Sequence, residues 1–239
     1  MPGYVIHLTE AKIICDILEK SSYKKNREMY KKREYFYYGS LLPDAGGKAQ
    51  KQRSHFWNKE ENGKIIMTPD IDEYLRKYAE ILKSNPLYKG YLAHLHLDQE
   101  FWKRYIKENV EFRNAVGGTT EYIKDLKDIR IKKNDRVVSA QKFFSEDYLY
   151  GDYTKLNKMM IQKYRLSLPV YNKSYSNKIE DADNEKMKEV LEQLGVYIIN
   201  SRSCAENSEL KVLDLCTFET FLKETAYEFV DLYDGYIRG

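Results

Sequence analysis

A chain of 239 residues with 42% hydrophobic and 32% charged side chains can build a core under a well-solvated exterior. Its 40 lysines and arginines face 37 acidic residues, and the net charge of +3 gives no general support for a nucleic-acid-binding role. No apolar run approaches the roughly 18 residues of a transmembrane segment, and Glu10 and Lys12 arrive before a signal-peptide core could form, which predicts a cytoplasmic protein.

Cys15, Cys204 and Cys216 are odd in number and outside any C-x-x-C pair, so they read as reduced, buried thiols that offer no thiolate metal site. No Pro/Gly/Ser-rich linker divides the sequence, and a single domain over 1–239 is expected.

Taken in chain order, Ala11, Ile13, Ile14, Ile17 and Leu18 predict a helix over 9–20 with Thr9 as its N-cap and His7 just before it. The basic stretch 24–33 leads into an apolar segment, 35–42, stopped by Pro43, so that Asp44 stands where a buried element opens into a loop. Residues 48–64 read as a polar loop carrying Ser54-His55-Phe56-Trp57. Thr68-Pro69-Asp70 opens a helix through Tyr74, Leu75, Tyr78 and Leu82, which Asn85-Pro86 ends.

From 87 to 106 a helix of wide apolar coverage carries His94, His96 and Asp98. After Gly117-Gly118, further helices are predicted over 119–129, 147–164, 183–194 and 217–233. Val196-Tyr197-Ile198-Ile199 and Leu210-Lys211-Val212-Leu213 read as two strands. The expected fold class is therefore mostly α, with a small β-hairpin near 196–213.

All four histidines, His7, His55, His94 and His96, fall within the first 96 residues, and imidazole is the commonest neutral metal ligand. His94 and Asp98 are four apart, so on a helix they leave one face a turn from each other. His96 points about 200° around the axis from His94 and cannot share that site. Pro43-Asp44 and Ser54-His55-Phe56 add one carboxylate and one imidazole. Taken singly, a hydrogen-bonded histidine and a capping aspartate are the plainer readings; the combination is what points to a metal.

The ordered set His7, Gly39-Ser40-Leu41-Leu42-Pro43-Asp44, Ser54-His55-Phe56 and Gly90-Tyr91-Leu92-Ala93-His94-x-x-x-Asp98 resembles the zinc-dependent phospholipase C and single-strand nuclease superfamily. The resemblance runs from the start of the chain to about residue 105. It implies an all-helical fold with a metal cluster in a cleft. A main ion would be held by Asp44, His55, His94 and Asp98, and a second by His7 and a bridging Asp98, with the amine of Met1 or Pro2 as a further donor. Asp44 and Asp98 would serve the chemistry.

The secreted trinuclear relatives add two later histidines and a glutamate, and no histidine follows His96 here, so a third metal is missing or differently bound. Nitrogen and oxygen donors without sulfur suit zinc, with manganese or iron as alternatives. The implied reaction is hydrolysis of a small-molecule or lipid-derived phosphate ester, monoester or diester, by metal-activated water.

Lys20, Lys24, Lys25, Arg27 and Lys31-Lys32-Arg33, with Lys48, Lys51 and Arg53 around the 44–55 segment, could attract an anionic substrate, although a solvated helix face is the plainer reading. Asp152 in Tyr150-Gly151-Asp152-Tyr153, with Asn157 on the same helical side, is a further candidate that helix packing explains as well. Two rivals stand beside the hydrolase: a His-Asp phosphohydrolase, which needs an adjacent His-Asp dipeptide that this chain lacks, and a non-catalytic, metal-stabilised binding protein that keeps the fold.

Overall fold

The structure is a computed structural model, and it describes residues 3–21, 30–170, 179–201 and 209–237. Helix α1 (Tyr4–Glu19) starts earlier than its apolar spacing predicts, with Gly3, in an extended conformation, at the N-cap position. Thr9 is not a cap: its hydroxyl donates to the Val5 carbonyl at 2.7 Å, a bond made inside a helix. His7 therefore sits in the first turn of α1, beside the buried Val5, Ile6, Ala11 and Ile14.

Helix α2 (Arg33–Leu41) passes into a 3-10 turn, Leu42–Asp44, whose Pro43 occupies an early position where no N–H is needed. Asp44 consequently lies in a buried turn. The expected loop at 48–64 is in part helix α3 (Gly47–Ser54), ended by His55 at its C-cap, with Lys51 and Arg53 in the last turn where cations complement the helix dipole. Having no apolar stripe, α3 left no periodic signal to read.

Helix α4 (Ile71–Leu82) is capped by Asp70, whose carboxylate accepts the Glu73 N–H at 2.8 Å. Helix α5 (Pro86–Glu100) follows at once, capped by Asn85 and begun by Pro86, and continues as a π-helical stretch over Phe101–Ile106. Every residue of α5 from Pro86 to Asp98 is buried.

Helices α2 and α5 cross backbone to backbone. A Cβ added at Gly39 would lie 2.0 Å from the Leu87 carbonyl oxygen, and one added at Gly90 would lie 2.0 Å from that of Phe36. The two glycines of the sequence motifs thus set a helix crossing too close for any side chain.

Three antiparallel strands in the order β1 (Val110–Arg113), β2 (Asp128–Ile131), β3 (Arg136–Ser139) pair Phe112 with Ile129 and Ile129 with Val138. The helix expected over 119–129 is not formed; only a 3-10 turn at Ile123–Asp125 is helical there. Burial of alternate residues, Val110 and Phe112 on one strand and Ile129 and Ile131 on the next, accounts for the strands.

Helices α6 (Leu149–Tyr164), α7 (Met187–Asn200) and α8 (Leu215–Leu232) follow. The hairpin expected near 196–213 is absent among the described residues. Val196, Tyr197, Ile198 and Ile199 extend α7, whose Met187, Val190, Leu191 and Leu194 are buried at helical spacing, so the period of the whole segment overrides the local β preference of its last residues.

Asp152 on α6 explains the other half of that supposed hairpin. Its carboxylate accepts the backbone N–H groups of Lys211 (2.9 Å), Val212 (2.6 Å) and Leu213 (2.9 Å), tying the approach to α8, which Asp214 then caps. This is a structural duty. Asp152→Ala leaves three N–H groups without their acceptor and is expected to lower unfolding free energy by about 3 kcal/mol or more, read from the urea midpoint, while Asp152→Asn should lose less because one amide oxygen still accepts.

Buried apolar residues from α1 to α8 form one cluster, in which Phe36 on α2 meets Phe229 on α8 edge-on at 6.4 Å. Cys15 is buried in it, whereas Cys216 is exposed, against expectation, and Cys204 lies outside the described residues. Among the described residues no helix is long and apolar enough to cross a membrane.

Candidate metal centre

His7 from α1, Asp44 from the turn after α2, His55 at the end of α3, and His94 and Asp98 one turn apart on α5 converge on one spot. His55, His94 and Asp98 are fully inaccessible, and His7 and Asp44 are 1% and 5% exposed.

Two hydrogen bonds orient the central imidazoles. His94 Nδ1 lies 2.8 Å from the Ser40 carbonyl oxygen. A carbonyl only accepts, so Nδ1 carries the proton and Nε2 presents its lone pair to the cluster. The close crossing at Gly39 and Gly90 is what brings Ser40 to this distance. His55 Nδ1 meets the Ser54 hydroxyl at 3.0 Å, and the Ser54 carbonyl accepts from the buried Tyr91 hydroxyl.

Around those nitrogens the spacing is regular. His55 Nε2 is 3.2 Å from His94 Nε2, 3.4 Å from Asp44 Oδ1 and 3.5 Å from Asp98 Oδ2, and His94 Nε2 is 3.6 Å from Asp98 Oδ2. A tetrahedral ion with bonds of 2.0–2.1 Å separates its ligand atoms by about 3.3–3.4 Å. These four separations fall near that length, and the ligand atoms fall into two groups that could each hold an ion, His55, His94 and Asp98 in one and His7, Asp44 and His94 in the other, each within 4.8 Å of one another. His7 is stacked on His94 with ring centroids 3.6 Å apart and Nε2 3.5 Å from Asp98 Oδ1.

Neither nitrogen of His7 and neither oxygen of Asp98 has a hydrogen-bond partner, although all four atoms are buried. Each such atom costs on the order of 1–3 kcal/mol of desolvation. A cation among them would repay that cost for several at once. Burial, with His94 beside it, pushes His7 down to about 4, and burial lowers His55 too, so these rings are neutral ligands at neutral pH. Burial alone would raise Asp44 and Asp98, but the His55 contact on Asp44 and the His7 and His94 contacts on Asp98 hold both well below the usual carboxylate range. Lys51, whose Nζ is 2.9 Å from Asp44 Oδ1, supplies one compensating charge for the two carboxylates.

His96 lies on another face of α5, packed against the rings of Phe229 and Tyr233 at 5.7 Å each, and burial pushes it down to about 4. Unfolded imidazoles titrate near 6.5. As pH falls from there toward 4, the unfolded chain takes up protons that native His7 and His96 refuse, so stability is lost across that window. His96→Leu is expected to flatten the pH dependence of metal-free melting between 6.5 and 4 without changing metal content; an unaltered slope would count against it.

Three further groups have buried, unpartnered atoms. Glu10, one turn along α1 from His7, is 1% exposed with Oε1 unpartnered, and burial with the charge of Asp98 raises its carboxyl. The Tyr153 hydroxyl and Asn157 Oδ1, one turn apart on α6, are also buried without partners, and after burial the Asp98 charge is what most raises Tyr153. Starting α1 at Tyr4 exposes the H-x-x-E spacing of His7 and Glu10, which the sequence reading missed; Tyr153 and Asn157 stood in it only as neighbours of Asp152.

Of the basic residues around 44–55, Lys51 faces the cluster, while Arg53 is turned to Asp181 (3.2 Å) and the Glu180 carbonyl (2.6 Å). Lys24, Lys25, Arg27, Met1 and Pro2 lie outside the described residues, as does the side chain of Lys48. A cavity of about 590 Å³ opens beside β1, lined by Lys64, Lys103, Lys107 and Lys132 together with Glu61, Glu111 and Glu121; none of the five cluster residues reaches it. Compared with family models, curated proteins and solved structures, the chain matches none.

Proposed function

We propose that the chain is a metal-dependent hydrolase of phosphate esters, with a divalent ion held by His55, His94, Asp44 and Asp98. The observation that carries this reading is that His55 Nε2 lies 3.2–3.5 Å from His94, Asp44 and Asp98, and His94 Nε2 3.6 Å from Asp98, in a buried cluster. Zinc fits these donors best, with manganese or iron as alternatives. Asp98 turns Oδ2 to His55 and His94 and Oδ1 to His7, which suits it to bridge toward a second ion. Its place in the H-x-x-x-D motif, and the order of the other ligands, agree with the resemblance to the zinc-dependent phospholipase C superfamily.

A zinc ion bound there supplies Lewis acidity, lowering the pKa of a water toward about 7 and polarising a phosphoryl oxygen. The chain's own residues do the rest. Ser40 and Ser54 hold the His94 and His55 rings in place, and burial strengthens every charge inside. Asp44, the most exposed of the ligands, would be the carboxylate to receive a proton from an attacking water.

The experiment is metal content of the purified protein beside His94→Ala and Asp44→Asn, with turnover of chromogenic phosphomonoesters and phosphodiesters. About one zinc per wild-type chain, lost in both variants, together with turnover of one ester class, is the expected result. Unchanged metal in both variants overturns the site.

One observation favours a second reading. Four protein ligands, none more than 5% exposed, resemble a closed structural site more than an open catalytic one. A metal-stabilised binding protein would hold its zinc against chelator and turn over neither ester.

A further inference from the structure

We propose that Lys51 is the substrate-binding residue of this centre and that it selects a terminal phosphate monoester over a phosphodiester. This rests on the hydrolase reading given above. Of the five cluster residues Asp44, at 5%, is the most exposed, and the Lys51 ammonium sits on it at 2.9 Å with the lysine side chain 26% exposed. Lys51 thus stands between solvent and the ligands.

Its backbone is fixed, because the His55 N–H donates to the Lys51 carbonyl at 2.9 Å, while its four-carbon stem leaves the charge free to move. The neighbouring Arg53 is committed to Asp181 and Glu180. A cation that takes Asp44 repels the ammonium from the same carboxylate. Lys51 then loses its counter-charge at the rim of the centre and becomes an anion site beside the ion.

A terminal phosphate, as the dianion, can answer both positive charges. A diester carries a single negative charge and must also bring a second ester group past ligands that are at least nine-tenths buried. In the reaction the water oxygen forms a bond to phosphorus, the ester P–O bond breaks, and the water proton ends on the leaving alkoxide. The products are an alcohol and inorganic phosphate.

The test uses zinc-loaded wild type, Lys51→Gln and Lys51→Arg. Calorimetry measures inorganic phosphate affinity, and kinetics compare p-nitrophenyl phosphate with bis(p-nitrophenyl) phosphate. Lys51→Gln is expected to keep its zinc and melting temperature, to bind phosphate about tenfold more weakly, and to raise KM for the monoester similarly with kcat within about twofold, as loss of one charge-assisted hydrogen bond implies. Arginine should restore most of the affinity.

Equal phosphate affinity in wild type and Lys51→Gln, or a wild-type preference for the diester, overturns the proposal. Lys51-dependent phosphate binding in a zinc-loaded protein that turns over neither ester would uphold the lysine's role and sink the hydrolase reading instead.

Discussion

Asp98→Asn protein is expected to purify without bound divalent metal and to show no rise in melting temperature when zinc is added. Asp98 is the hub of the cluster: its two oxygens lie 3.5 Å from His7, 3.5 Å from His55 and 3.6 Å from His94, and neither accepts a hydrogen bond. Removing its charge takes the anionic centre away from His7, His55 and His94 at once. Without metal, each protein's melting temperature under chelator sets its own baseline.

With zinc the two proteins should separate from those baselines. Wild type gains about 2.7 kcal/mol at a ligand concentration of 100 times Kd, and Asp98→Asn gains nothing. Paired melting curves with zinc and with chelator make the comparison, and a zinc-induced shift of equal size in both proteins would remove Asp98 from the shell.

Gly90→Ala is expected to cause a large loss of stability for a single added methyl. The new Cβ would meet the Phe36 carbonyl oxygen at 2.0 Å and the Ser40 nitrogen at 2.9 Å, both backbone atoms that no side-chain rotation can clear. Helices α2 and α5 must move apart, at a cost toward or beyond the upper end of the roughly 1–3 kcal/mol typical of overpacking.

The same movement draws the Ser40 carbonyl from His94 Nδ1 and Asp44 from His55, so metal affinity should fall with stability. Gly39→Ala meets the Leu87 backbone in the same way, whereas Gly235→Ala finds nothing within 4 Å and serves as the control. Urea unfolding and zinc titration of the three variants check this; a Gly90→Ala protein with wild-type midpoint and zinc affinity would show that the close crossing is not required.

How much of the centre was legible follows from what kind of contact each residue makes. His94 and Asp98 share a helix face by spacing alone, and the same period sends His96 to the rings of Phe229 and Tyr233. The ordered motifs named His7, Asp44 and His55 as companions. Lys51 was one basic residue among several, and its direction toward Asp44 depends on α3, a helix without an apolar stripe. Asp152 looked like a site carboxylate because its partners, the N–H groups of 211–213, lie about sixty residues away.

The sequence by itself determined the mostly helical character, the α4–α5 boundary at Asn85-Pro86 and the pairing of His94 with Asp98, because each is written in neighbours within a turn or two. Only the tertiary structure decided that 196–199 finishes a helix, that strands form at 110–139, and that five side chains from four segments meet. The last depends on two glycines letting α2 and α5 touch, which sets the Ser40 carbonyl 2.8 Å from His94 and turns a ring nitrogen toward the other ligands. Contacts of that kind arise from packing between distant elements, and no local period encodes them.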